Sequence, residues 1–384
     1  MDRMEQKTMT DLKKMTVEPS QQEVLTEVSG QVGFITLNRP QALNALSLGM
    51  IRTLTARLLA WRDDPQVRAV AIRGSHKNGV FGGFCAGGDI RFFHKAACAG
   101  DATLEDFFTE EYALNHLIHN YSKPYMAFMD GIVMGGGMGI SQGAQLRIVT
   151  EATKMAMPET HIGLFPDVGG GYFLSRCPGH VGEYLALTGE LLGAGAALSY
   201  GLADQCFDAA HLPLAWEALS QLDWTQSNSL AQWSARFSIA AKPYSTRARD
   251  QIDQIFSLPD MTAILHALEA DSSDWAQESA ATLRKRSPLM LHVTLAQIRK
   301  ARTMGLADDL RMERDMVRHC FHPRHLGRGP LESETVEGVR ALAVDKDHAP
   351  KWFPLCTEDV TPAMVEPFFQ SPWPSHAHPL RDLS

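Results

Sequence analysis

The chain has 384 residues, 45% hydrophobic and 21% charged, with a formal net charge of −8. That is the makeup of a globular enzyme of one large or two modest domains, and the acidic balance argues against general nucleic-acid binding. Six scattered cysteines with no CxxC pair predict reduced thiols and no zinc site, and no run of 18 apolar residues is present to span a membrane.

Residues 1–20 are polar and of mixed charge and read as a disordered tail. They lack the apolar core of a secretory signal, and Asp2, Glu5 and Asp11 are unlike an acid-poor transit peptide. For a bacterial source this implies the cytoplasm. Glu23–Val28 and Val32–Leu37 alternate as two strands about Gly30, a hairpin. Ser47 is placed to cap a helix over 48–62, where Leu48, Ile51, Leu54, Leu58 and Trp61 recur at helical spacing. Val67–Ile72 reads as a strand. From Gly74 to Asp89 the chain holds six glycines and is either a flexible surface loop or a backbone cradle; Phe84 and Ile90 around its Cys-Ala-Gly-Gly core favour the cradle.

A helix over 107–121 must end before Pro124. Tyr125–Met129 reads as a buried strand, 136–142 as a helix and Leu146–Val149 as another strand. This alternation to about residue 208 predicts an α/β layered domain with crossover connections. Beyond His211 the strand signal fades. Helical periodicity covers 211–221, 229–238, 246–256, 261–270, 273–285, 289–304 and 308–320. The division expected is a tail over 1–20, an α/β core over 21–210 and a mainly helical region over 211–384, irregular after about 355.

Chemistry concentrates between Lys123 and Tyr172. The run Gly135–Gly137 follows an apolar strand and opens a helix. Unpaired N–H groups and the positive end of the helix dipole meet there, a place suited to an anion or a developing oxyanion. Close helix–strand packing would also explain the glycines. No GxGxxG or GK[ST] is present, so neither a dinucleotide nor a P-loop site is indicated. Glu159, next to Pro158 on a Met-rich apolar segment, suits a base or nucleophile in a dry pocket. Asp167 is either its partner or a loop carboxylate capping a helix that begins near Gly170. Ser141 in GISQG matches GxSxG but falls a full turn inside the helix instead of at an elbow. Glu110 and Glu111, by spacing alone, read as the solvated face of a helix. His116 with His119, and His319, His322 and His325, lack the converging ligands that a metal needs.

The segments FCAGGDI (84–90), GIVMGGGMGIS (131–141), MPETHIGLFPDVGGGYFLSR (157–176) and EYLALTGELL (183–192) resemble the crotonase superfamily. The resemblance is closer to its 3-hydroxyisobutyryl-CoA hydrolase branch and extends through SPLMLHVTLAQIRKAR (287–302), EGVRALAVDKD (337–347) and PKWFP (350–354). It implies a spiral of repeated ββα units with a helical C-terminal region, and an acyl-CoA thioester as substrate with no further cofactor. Gly88 and Gly136 would supply the oxyanion-hole N–H groups, Glu159 and Asp167 the catalytic acids, and Glu111 would line the acyl pocket. Hydratases of the superfamily carry a second Glu where this chain has Gly139, and usually a Gly where it has Asp167. Both differences fit hydrolysis of 3-hydroxyisobutyryl-CoA, a step of valine breakdown. An enoyl-CoA hydratase or isomerase and a silent CoA-ester-binding subunit are the alternatives. Self-association through the C-terminal helices is a further implication.

Overall fold

The computed structural model describes residues 22–242 and 247–384, so the tail predicted over 1–20 lies outside the described residues. β1 (Val24–Ser29) and β2 (Val32–Leu37) form the antiparallel hairpin about Gly30. Ser47 caps α1 (Leu48–Asp63) by accepting from the Met50 N–H. β3 (Ala69–Gly74) starts two residues later than its apolar pattern, because the Val67 N–H is bound to Asp64 O in a turn. The chain continues through α2 (Ile90–Ala99), α3 (Thr103–His119), β4 (Tyr125–Met129), β5 (Ile132–Met134), α4 (Gly136–Gln142), β6 (Leu146–Thr150) and β7 (Lys154–Ala156). Then follow α5 (Gly170–Leu174), α6 (Val181–Thr188), α7 (Ala194–Ser199) and β8 (Gln205–Phe207).

The main sheet runs in the order β1-β2-β3-β4-β6-β8, parallel after its first pair, and β5 pairs parallel with β7 in a second, small sheet. Isolated bridges Cys85–Val133 and Met155–Leu192 extend the small sheet. Each turn of the chain therefore lays one strand in the large sheet and one short segment in the small one, which is the spiral expected of the crotonase fold.

After Phe207 the chain is helical: α8 (Leu212–Leu219), α9 (Ser229–Phe237), α10 (Arg247–Phe256), α11 (Met261–Ala270), α12 (Asp274–Leu283), α13 (Pro288–Ala301), α14 (Leu306–Phe321), α15 (Glu334–Val339) and α16 (Pro362–Val365). One face of the main sheet, with Phe34, Met126 and Phe128, packs on Trp216 of α8 and Trp233 of α9. The other face, with Ile35, Val70 and Ala127, joins a continuous apolar core that reaches Leu380. Burial on both faces is why these strands read as continuous apolar runs. The shared core also binds the helical region to the sheet region without a break. Among the described residues no helix is long and apolar enough to cross a membrane.

One long-range tie positions the acidic loop. The N-terminus of α5 is capped by α14: Glu313 accepts from the N–H groups of Gly169 and Gly171 at 2.7 and 2.9 Å, and Asp309 from that of Tyr172 at 2.9 Å. Gln297 of α13 donates to Pro166 O at 2.7 Å. The helix near Gly170 thus exists, but the side chain of Asp167 does not cap it and is free for other work.

Candidate active site

Two glycine turns face each other. Gly87 has φ +108° and Gly135 φ +48°, conformations that favour glycine. A Cβ added at Gly87 would lie 3.7 Å from Gly136 N, so the turns nearly touch. The 84–89 segment is stitched down on both sides: Leu46 N–H donates to Gly87 O, Cys85 N–H to Ile132 O and Met134 N–H to Cys85 O, at 2.8–2.9 Å. It is a cradle, with Phe84 and Cys85 fully buried; the exposed residues of the glycine-rich run are 77–80 and Gly82, ahead of it. Among the described residues no oxygen accepts the N–H of Gly88 or of Gly136.

Three carboxylates converge on these turns. Glu111 (α3), Glu159 and Asp167 are 2%, 7% and 6% exposed. Glu159 follows Pro158 into a 3₁₀ turn, Glu159–Ile162. Its Oε1 stands 2.7 Å from where a Cβ on Gly135 would be, and Glu111 Oε1 stands 2.5 Å from where one on Gly136 would be. Glu159 Oε2 and Glu111 Oε1 are buried without a hydrogen-bond partner among the described residues. Asp167 Oδ2 accepts from the Tyr112 hydroxyl at 2.8 Å. The walls enclose a cavity of about 270 Å³.

Burial, then the charges of Asp167 and Glu159, push Glu111 well above the usual carboxylate range. Burial and the charge of Asp167 do the same to Glu159. Burial lifts Asp167 to about 6, opposed by the Tyr112 hydrogen bond. Three buried acids without a cation are costly to the fold, and such clusters mark places where a proton must be held or taken.

The solvated-face reading of Glu111 is corrected. Glu110 does sit outside, bonded to Arg52 at 2.7 and 2.8 Å. Glu111 occupies the buried stripe Leu104, Phe107, Glu111, Leu114, Ile118, and a carboxylate in a stripe position was a readable signal. Tyr112, the partner of Asp167, gave none; a tyrosine on a core-facing helix looks like any packed aromatic.

Ser141 is not brought to the cavity. It is fully buried and its hydroxyl donates back to Gly137 O and Met138 O at 2.8 and 3.2 Å. Ser141→Ala should change turnover less than about twofold, since the lost contacts lie within its own helix; a kinetic comparison with the parent protein checks this. At Gly139 the space is taken: an added Cβ would meet Val168 Cβ at 2.7 Å and Asn115 Nδ2 at 2.9 Å. Among the described residues no His, Cys, Asp and Glu group could hold a metal ion.

A family model described as enoyl-CoA hydratase/isomerase matches residues 32–369. A protein named 3-hydroxyisobutyryl-CoA hydrolase, mitochondrial, from Xenopus tropicalis is 40% identical over 357 residues, covering 91% of this chain and 89% of its own. An Arabidopsis thaliana protein named probable 3-hydroxyisobutyryl-CoA hydrolase 3 is 38% identical over 369 residues, covering 91% of this chain and 92% of its own. A solved structure titled carnitinyl-CoA dehydratase, from Mycobacterium thermoresistibile, superposes with TM-score 0.84 at 37% identity, covering 94% of this chain and all of that one. Another, titled enoyl-CoA hydratase, from Rhodobacter sphaeroides, gives 0.81 at 34% identity, covering 91% of this chain and 98% of that one. With opposed glycine turns and the acids around them, the chain belongs to the enoyl-CoA hydratase/isomerase, or crotonase, family, on the side of it that holds proteins named 3-hydroxyisobutyryl-CoA hydrolase.

Proposed function

We propose that the protein hydrolyses an acyl-CoA thioester, 3-hydroxyisobutyryl-CoA, to the hydroxy acid and free CoA. The observation that carries the reading is that Glu159 and Glu111, each with a buried, partner-free carboxylate oxygen, line one cavity with Gly88 and Gly136, whose N–H groups have no acceptor among the described residues. The thioester carbonyl oxygen accepts from Gly88 and Gly136, which stabilise negative charge as it develops. Glu159 drives the attack in one of two ways. The first is as base on a water, whose proton it then hands to the departing thiolate. The second is as the nucleophile itself, forming an anhydride as the thiolate leaves; a water then hydrolyses the anhydride to the free acid and the Glu159 carboxylate while its proton goes to the thiolate. Hydroxylamine trapping separates the routes, since an acyl group on Glu159 forms only in the second. Asp167, oriented by Tyr112, takes the substrate hydroxyl, and Glu111 lines the same end.

A base must be ionised to act, so turnover rises with pH through the raised pKa of Glu159. Asp167→Asn removes a negative charge that raises it. The acid limb of the pH–kcat profile should therefore move to lower pH in this variant, even as the rate on 3-hydroxyacyl thioesters falls. An unmoved limb would mean that Glu159 does not set it.

The solved structures titled as a dehydratase and a hydratase favour a second reading, addition of water to an enoyl thioester. Against it, Gly139 offers no second carboxylate and Val168 with Asn115 fills the space for one. Thiol release from (S)-3-hydroxyisobutyryl-CoA, with crotonyl-CoA absorbance followed in parallel, tests both. Thiol release with a stable enoyl signal supports the hydrolase; enoyl loss without thiol release supports the hydratase.

A further inference from the structure

A second, much smaller cavity of about 40 Å³ adjoins the acyl cavity, and Val168 is a wall of both. Asn115 and Gly139 line it, as do the half-buried His119 and Tyr172, so it extends toward the surface. One water needs about 10–15 Å³ of such space. There is room for a water or two and for nothing as large as an acyl group.

The chamber is not apolar throughout. Asn115 is 4% exposed, and neither its amide nitrogen nor its amide oxygen has a hydrogen-bond partner among the described residues. The Nδ2 lies 2.9 Å from where a Cβ on Gly139 would stand, so the amide faces the chamber. An amide donates twice and accepts twice, and burying it unpaired in a dry gap is costly to the fold. A water that accepts from Nδ2 or donates to Oδ1 removes that cost.

The place of Asn115 in its helix ties the chamber to the chemistry. Glu111, Asn115 and His119 recur every four residues and fall on one face of α3. Glu111 lines the acyl cavity, while Asn115 and His119 line the chamber. The stripe is a polar path from the half-buried surface to the partner-free oxygen of Glu111, with Val168 as the partition beside it. Val168 holds φ +57°, a left-handed conformation that is strained for a β-branched residue. Bonds around it keep it there: Asp167 O accepts from Gly170 N–H at 2.8 Å, and Glu313 from Gly169 N–H at 2.7 Å. The partition is thus placed by the fold and not by its own preference.

We propose that this chamber supplies the water of the hydrolysis, held at the Asn115 amide and passed beside Val168 to the Glu159 cavity. The proposal rests on the thioester-hydrolase reading for the use of that water. Both routes open to Glu159 consume one water. In sum its OH joins the acyl carbon as the C–S bond breaks, and its other proton goes to the thiolate. A bound thioester fills the acyl cavity and its carrier arm stands in the mouth. Water must then be inside beforehand or enter from another side, and the chamber permits both. Asn115 is a positioning residue in this scheme.

The test is the kinetics of thiol release from (S)-3-hydroxyisobutyryl-CoA by the parent, Asn115→Leu and Asn115→Ser, with a crystal structure of the parent. Leucine has nearly the shape of asparagine without its polar atoms. It should lower kcat by about 10–100-fold, the cost of a misplaced reactant, with KM within about twofold of the parent and Tm no lower. Serine keeps a hydrogen-bonding group and leaves room for water, so it should recover much of kcat. A packing role would give the reverse order, because serine leaves the larger gap. The crystal structure should show water in hydrogen-bond reach of the Asn115 amide. Parent-like kcat in Asn115→Leu, a lower kcat in Asn115→Ser than in Asn115→Leu, or a chamber without water each overturns the proposal. If Asn115→Leu fails to fold by circular dichroism, Asn115→Ala takes its place, and equal kcat in the alanine and serine variants is then the overturning result. No thiol release by the parent would sink the hydrolase reading and this proposal with it; equal release by the parent and Asn115→Leu sinks this proposal alone.

Discussion

Glu159→Gln will lower kcat for thioester hydrolysis by about 10²–10⁴-fold, the usual contribution of a positioned base, while leaving CoA-ester affinity in place. The amide keeps the shape of the carboxylate, so the Gly135 turn against it has no reason to move. Stability should change in the opposite sense. The folded-state pKa of Glu159 is raised above its unfolded value. A group of that kind contributes stability that is fully present below the unfolded pKa and lost as pH rises through the folded one. Neutral pH lies above the unfolded pKa, so there the buried carboxyl is a cost to folding that glutamine lacks, and the variant's Tm should rise by on the order of 2 °C. Near pH 4, where the parent acid is protonated in the fold, the gap should close. Parent-like turnover in the variant would remove Glu159 from the chemistry; a lower Tm at pH 7 would remove the account of its burial.

Gly136→Ala is the second large effect. Its φ is not in the left-handed region, and alanine is a good residue at a helix start, so the backbone tolerates the change. The methyl, however, would stand 2.5 Å from Glu111 Oε1 and 3.2 Å from Leu46 Cδ1, in the space that the proposed oxyanion hole gives to the thioester carbonyl. Turnover should fall by about 10²–10³-fold, the cost of losing one oxyanion donor, with the circular dichroism spectrum and Tm near those of the parent. Turnover within threefold of the parent would show that the carbonyl sits elsewhere. Gly137→Ala makes the contrast: its methyl would meet the Cys85 carbonyl oxygen at 2.3 Å, backbone that cannot step aside, so that variant should fail to accumulate as folded protein.

What the chain reveals before folding follows from how local each signal is. The Ser47 cap, the glycine run opening α4 and the helices α8 to α14 are written in neighbouring residues, and they were readable to within a few positions; α15 and α16 were not read. β5 and β7 were not: three residues give no period, and each exists only because the other lies beside it. α2 was passed over because it emerges directly from the glycine-rich cradle, although Asp89 caps it by accepting from Phe92 N–H. Gly88, Gly136, Glu159, Asp167 and Glu111 were named from their resemblance and local setting, and the structure brings all five to one cavity. Tyr112 and the Glu313 cap act across 55 and 144 residues of sequence, where no local pattern reaches.

The cap on α5 has a bearing on synthesis. The loop that carries Asp167 ends at amides whose acceptors, on Glu313 and Asp309, leave the ribosome well over a hundred residues later. By then every strand of the main sheet has already been made. A nascent chain can therefore own the whole sheet, both glycine turns and Glu159, and still lack a fixed Asp167. The Asp167 side of the cavity is thus fixed late, only once α14 has been made.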